Sequence, residues 1–254
     1  MKKRSLMILP LAAAFALAGC SNAGDGGSTD SAPEGTQAEQ DTQTEETTQG
    51  GSGSGETLDG AQVKAVVEAL VEGKDGAQVL DGDTIAASLP QAQAAIEAMN
   101  IEPAQCAELI SQQGSWDVEG INMAVATVVD GTDATSYSVA SYEDDAKLAE
   151  ARTAAESKDM QGCDSFSMEA QGQKLEASAE LLDASSDAEI TLLTKTNISM
   201  DGVDVPMNSI SIQAIDGRTA VSVSASGDVS AEQELIDSLI AEVNKALAEV
   251  AKVQ

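Results

Sequence analysis

Ile190-Thr191-Leu192-Leu193-Thr194-Lys195-Thr196-Asn197-Ile198-Ser199-Met200 is followed by Asp201-Gly202. A second run, ending in Ile210-Ser211-Ile212-Gln213-Ala214-Ile215, is followed by Asp216-Gly217, and Val221-Ser222-Val223-Ser224-Ala225-Ser226 comes next. Side chains of a strand alternate between its two faces, so Ile190, Leu192, Thr194, Thr196, Ile198 and Met200 share one face of the first run. Ile210, Ile212 and Ala214 share a face of the second. In the third, Val221, Val223 and Ala225 face away from three serines. Asp-Gly pairs suit two-residue hairpin turns, and two of them between alternating runs predict a three-stranded antiparallel meander. After it, Ser230-x-x-Gln233 offers a capping box. Leu235, Ile236, Leu239, Ile240, Val243, Leu247 and Val250 then form an apolar stripe on one long C-terminal helix. The stripe needs an apolar partner, and the sheet has one apolar and one Ser/Thr-rich face. The expected fold is therefore α+β, with helices packed on one face of an antiparallel β-sheet and the polar face left to solvent or a ligand.

Upstream, Val63, Val66, Val67, Leu70 and Val71 predict a helix within Leu58 to Glu72. Asp81-Gly82-Asp83 reads as a turn. Thr84 to Asn100 reads as a helix interrupted at Pro90, with Ile96 and Met99 on one face. Pro103 opens a short helix that points Cys106, Leu109 and Ile110 inward and ends at Gly114. From Ile121 the period changes to two, through Met123, Val125, Thr127 and Val129. The Asp130-Gly131-Thr132-Asp133 turn leads to a strand with Tyr137, Val139 and Ser141. Glu143 to Lys158 reads as a helix of modest apolar content, followed by strands carrying Phe166 and Met168, then Leu175, Ala177, Ala179 and Leu181.

The 254 residues carry 43 acids, 13 bases and no histidine, a formal charge of −30. Phosphate binding needs clustered Lys and Arg, so nucleic acid is excluded as a partner. Without histidine there is no Ser-His-Asp or Cys-His chemistry and no His-ligated zinc. The Asp-Gly motifs lack the alternating acids and terminal Glu of a full calcium loop. Glu143-Asp144-Asp145 suits the N-terminus of a helix better than a carboxylate pair for hydrolysis. No Gly-x-Ser-x-Gly elbow or Ser-x-x-Lys appears. The chain is expected to be no enzyme and to take no cofactor or metal.

The N-terminus carries an address. Lys2, Lys3 and Arg4 precede an apolar run from Leu6 to Leu17, too short for a mature membrane span and suited to the core of an export signal. Leu17-Ala18-Gly19-Cys20 looks like a bacterial lipobox, in which the Cys20 thiol receives the lipid. Residues 1–19 are thus expected to be a lipoprotein signal peptide. The mature chain would keep 10 bases and all 43 acids, a net of −33. Two acyl chains on Cys20 would anchor it firmly, on the extracytoplasmic face of the cell membrane. Residues 20–57 comprise that cysteine and a Gly/Ser/Thr-rich acidic linker, expected to be disordered for want of apolar surface. Residues 58–254 form the folded domain.

Assigning Cys20 to lipid leaves Cys106 and Cys163, which export places in an oxidising compartment. A disulfide between them would close a loop of about 58 residues, and the chain-entropy model gives it about 4 kcal/mol. Among the few aromatic residues, Trp116, Tyr137 and Tyr142 are the candidates for contacting a ligand, and for the lone Trp116 packing at a core edge is the alternative.

Ile101-Glu102-Pro103-Ala104-Gln105-Cys106-Ala107-Glu108-Leu109, a hydrophobic sheet and a second cysteine just after a helix resemble one exported domain type. It is the extracellular sensor domain of mycobacterial serine/threonine kinases, also found in actinobacterial lipoproteins. The family typically has two disulfides, of which this chain has cysteines for one. The resemblance implies an antiparallel sheet flanked by helices, a cleft for an unidentified ligand, and no catalytic residue. The expected function is a membrane-anchored extracytoplasmic lipoprotein with a sensor-like domain. It would bind a small molecule, a lipid or a cell-envelope protein. A lipid or glycolipid carrier with an apolar cavity is the alternative, and a carboxylate-dependent hydrolase a third.

Overall fold

The computed structural model describes residues 55–113, 117–157, 160, 162–170, 173–200, 203–229 and 232–254. The export signal, Cys20 and nearly all of the linker lie outside them, as do Gly114, Trp116, the Asp201-Gly202 turn and Ser230 of the expected capping box.

The chain runs α1 (Gly60–Leu70), β1 (Gln78–Asp81), α2 (Gly82–Glu97), β2 (Asn100–Glu102), α3 (Ala104–Gln113), β3 (Ile121–Asp130) and β4 (Asp133–Tyr142). It continues through α4 (Asp145–Glu156), β5 (Ser165–Ala170), β6 (Gln173–Leu182), β7 (Ile190–Met200), β8 (Val203–Asp216), β9 (Thr219–Gly227) and α5 (Glu232–Val253). The strands form one sheet of order β1-β3-β4-β9-β8-β7-β6-β5-β2. Every pairing in it is antiparallel. The expected meander is β7-β8-β9. Asp216 pairs with Thr219 across Gly217-Arg218, and Gly217 takes φ 55°, a backbone shape that glycine adopts without steric cost.

The expected apolar face, here the first face, carries α1 and α5. Val63, Val66, Val67 and Leu70 of α1 and Ile236, Leu239, Val243, Ala246 and Val250 of α5 pack on Ala124, Tyr137, Val139, Leu193, Ile210, Ile212, Val221 and Val223. Asp59 caps α1 in a capping box with Gln62. Leu58 is fully buried; its N–H donates to Ser141 Oγ at 2.9 Å and its carbonyl accepts from Asn122 Nδ2 at 2.9 Å. Gln62 Nε2 donates to the Val253 carbonyl at 2.6 Å, tying the start of α1 to the end of α5.

Helices also occupy the other face: Ile96 of α2 and Cys106 of α3 pack with Phe166 and Met168 there, and α4 joins them. Leu148, Ala151 and Ala155 of α4 pack on Tyr142, Ile215 and Ala220. Ile215 and Ala220 alternate with Ala214 and Val221, so α4 lies on the second face. Its contact residues are mostly alanines, whose small side chains let a helix sit close to a sheet without a strong apolar stripe. Two more differences are local. The backbone of α2 runs unbroken through an exposed Pro90. Asp81, expected in a turn, is its N-cap, accepting from Thr84 N–H at 3.0 Å and Thr84 Oγ1 at 2.7 Å. Those bonds hold the Asp81 carboxyl below its ordinary range. The edge strands β1 and β2 are additions that the pattern did not indicate.

Candidate functional site

The site is built by register. Where the meander's second face leaves the α4 contact, its side chains change from apolar to hydroxyl-bearing. Ser138 pairs with Ser222 and Ser222 with Gln213. One row further on, Thr127, Ser136, Ser224, Ser211 and Thr194 are successive partners in β3, β4, β9, β8 and β7. Ser226, Ser209 and Thr196 make a third row. Neighbouring strands lie about 4.8 Å apart, so the result is a lattice of uncharged hydrogen-bonding groups. Beyond it, the disulfide region closes the second face, with Ile101, Cys106 and Cys163 packed among Ile96, Met99, Phe166 and Met168.

Charge is sorted across the sheet. Asp81, Glu102, Asp133, Glu169, Lys174, Glu176, Glu180 and Lys195 all stand on the first face by register, and the described strands place no charged residue on the second. Within the lattice, Thr194, Ser211 and Gln213 are 4%, 6% and 9% exposed. The other members are half-buried. Ser211 Oγ, Gln213 Oε1 and Ser222 Oγ are buried without a hydrogen-bond partner, three of the six such atoms among the described residues. A buried polar atom without a partner costs about 1–3 kcal/mol, and three in adjoining positions concentrate that cost in one place. The outer lattice is partly paired: Thr127 Oγ1 and Ser136 Oγ are 3.3 Å apart, and Ser226 Oγ donates to the Ala134 carbonyl at 3.5 Å.

Two surface grooves lie elsewhere. One, of about 380 Å³, sits between the starts of α1 and α2 and is lined by Lys64, Asp81, Asp83 and Asn122 together with Ala86, Val118, Ile121 and Met123. The other, of about 260 Å³, lies over β5–β8 and includes Asn197, Asn208, Ser178 and Glu176.

Tyr137 and Tyr142 stand on opposite faces of β4 and do not share a site. Tyr137, 2% exposed, lies in the first-face core, where its hydroxyl accepts from Lys74 Nζ. Lys74 also stands 3.6 Å from Glu242. Burial opposes the Lys74 charge, but the Tyr137 hydroxyl and the Glu242 carboxylate outweigh it and hold the ammonium above its ordinary range. Tyr142 lies under α4, and burial pushes its phenol up to about 12. Trp116 lies outside the described residues.

Cys106 and Cys163 form the disulfide, with Cα atoms 5.5 Å apart. Ser211, Gln213 and Ser222 were not singled out from sequence. The signal for them was present, because the Asp216-Gly217 turn fixes Gln213 opposite Ser222 and Ser211 opposite Ser224. What was missing is that this part of the polar face is covered. None of the described helices is long and apolar enough to cross a membrane.

No protein-family model and no curated protein matches the chain. Among the solved structures similar to it are the following two. The extracellular domain of PknH from Mycobacterium tuberculosis matches at 12% identity and TM-score 0.47, over 78% of this chain and 98% of that one. An uncharacterised Mycobacterium smegmatis protein, the Rv0999 ortholog, matches at 14% identity and TM-score 0.45, over 74% of this chain and 96% of that one.

Proposed function

We propose that the chain is a lipoprotein held through an acylated Cys20 on the extracytoplasmic face of a membrane. Its sensor-like domain binds a ligand on the hydroxyl-lined second face and performs no chemistry there. The observation that carries the ligand reading is the set of adjoining unpartnered atoms, Ser211 Oγ, Gln213 Oε1 and Ser222 Oγ. Buried polar groups in folded proteins almost always find a partner. Three left unpaired side by side lie under cover at the centre of the sheet, and the half-buried hydroxyls of Ser136, Ser209, Ser224 and Ser226 beside them are the groups that a ligand would meet. The lipobox Leu17-Ala18-Gly19-Cys20 and the acidic linker support the anchor. The mixed polar and apolar lining of the 380 Å³ groove gives the lipid-carrier alternative little support.

Native mass spectrometry of the protein extracted from its own membrane tests the reading. A bound molecule is expected on the natural chain and absent from Ser136→Ala/Ser224→Ala. The same bound mass on both would remove the second face as the site. The N-terminal peptide is expected to carry lipid on Cys20, and an unmodified terminus would sink the anchor.

A further inference from the structure

We infer that the groove of about 380 Å³ between the starts of α1 and α2 is a separate binding site, for a small zwitterion of the amino-acid class with an apolar side chain. The groove opens to solvent, has the size of a small-ligand site and shares no residue with the hydroxyl lattice. The first argument is charge. Lys64 of α1 meets Asp81, the N-cap of α2, with Nζ 3.8 Å from Oδ2, and the two side chains are 42% and 45% exposed. That distance is too long for a hydrogen bond, and so loose a surface pair adds little to stability. Asp81 Oδ1 takes both bonds from Thr84, which leaves Oδ2 to the groove. The exposed Asp83 side chain has no partner among the described residues. A cation and two carboxylates therefore line one groove with hydrogen-bonding capacity to spare.

A simple anion drawn to Lys64 would also meet the two carboxylates, and a simple cation drawn to the carboxylates would meet the ammonium. A metal ion is not favoured either, since no group of three or more His, Cys, Asp or Glu side chains suited to one occurs among the described residues. A zwitterion satisfies both signs, its carboxylate on Lys64 and its ammonium on Asp81 Oδ2 and Asp83. An α-amino acid carries both charges on one carbon, which suits protein charges standing 3.8 Å apart. The second argument is the wall. Val118, Ile121 and Met123 are half-buried beside the charges and give an apolar side chain somewhere to lie. The third is the strand edge. β1 pairs with β3 only as far as Asp81 opposite Ala124, so no strand continues beside Ile121–Met123. Tyr142, the β4 partner of Ile121, donates its N–H to the Arg218 carbonyl instead. Ile121 therefore turns its own carbonyl to the open edge, a further acceptor for an ammonium.

The full chain, in detergent, is to be titrated by calorimetry with L-alanine, L-valine, L-leucine and L-methionine, with the dipeptide L-alanyl-L-leucine, and with isocaproate and isoamylamine, which keep the leucine side chain and one charge each. At least one zwitterion is expected to bind, and both single-charge controls to bind about tenfold more weakly or worse, as loss of one charged hydrogen bond implies. An amino acid binding more tightly than the dipeptide supports a free amino acid as the source, and the reverse order supports the end of a peptide. Lys64→Met keeps the stem and removes the charge; it and Asp83→Asn should each weaken binding by about tenfold, with circular dichroism checking the fold of these surface variants. Ser136→Ala/Ser224→Ala on the lattice should leave this binding unchanged. A single-charge control that binds as well as the zwitterions would overturn the ligand class. Zwitterion binding indifferent to both groove variants would overturn the location. No binding of any probe would overturn the site, and none of these results bears on the second-face reading.

Discussion

Ile212 and Ser211 are chain neighbours in β8, yet they live in different environments. Ile212 is fully buried in an aliphatic core closed by α1 and α5. Ser211 is nearly as buried, but its hydroxyl has no partner. The first face is built for stability and the centre of the second is not. Its polar rows are bracketed by an alanine-rich helix contact on one side and a disulfide-linked cluster on the other. A protein that leaves buried polar atoms open in the middle of a sheet has given up stability there, and such places are where function is sought.

The sharpest way to break the contrast is Ile212→Ala. Deleting a fully buried branched side chain should cost about 2–5 kcal/mol in chemical denaturation. A cost under about 1 kcal/mol would mean that the first face is not the main core. Next, Cys106→Ser/Cys163→Ser removes the cross-link between positions 57 apart. The expected loss is about 4 kcal/mol, mainly by freeing the unfolded chain, and calorimetry with and without reductant should agree with the variant. Third, Ser211→Ala should be neutral or stabilise the protein by about 1 kcal/mol, since it deletes an unpaired buried hydroxyl. A clear destabilisation would show that the hydroxyl is already paired and would remove the contrast. The smallest effect at neutral pH belongs to Tyr142. Burial raises its folded pKa from 10.0 to about 12. Its contribution is full below about pH 10 and is lost as pH climbs towards 12, because only the protonated phenol is tolerated under α4. Tyr142→Phe should flatten stability across that alkaline range.

Much of this was legible in the amino-acid order. Alternating runs joined by Asp216-Gly217 defined both strands and register, and the α5 stripe demanded the apolar face that it covers. The edge strands escaped because β1 and β2, of 4 and 3 residues, are too short for a period to emerge. The placement of α4 escaped because Ala151 and Ala155 say little about which surface a helix seeks. Pro90 suggested an interruption, but a helix can keep its path where the lost hydrogen bond falls on an exposed turn. The candidate site was only half legible. Serines at alternate positions read as solvated, and the pattern of one strand does not show that its polar face is covered. Tyr137 drew attention as a rare aromatic, and the structure gives it a core position with a cationic neighbour.

Leu58 carries a mechanical consequence. Its side chain is fully buried, and its N–H and carbonyl are each clasped by a side chain, Ser141 and Asn122. A pull along the preceding segment is therefore borne at that clasp, on β3 and β4, before it can peel α1 from the sheet. The Gln62–Val253 bond brings the C-terminal end of α5 to the same corner. Under the proposed Cys20 anchor, tension would thus enter on the first face, at the corner where α5 ends, and not on the hydroxyl lattice behind it.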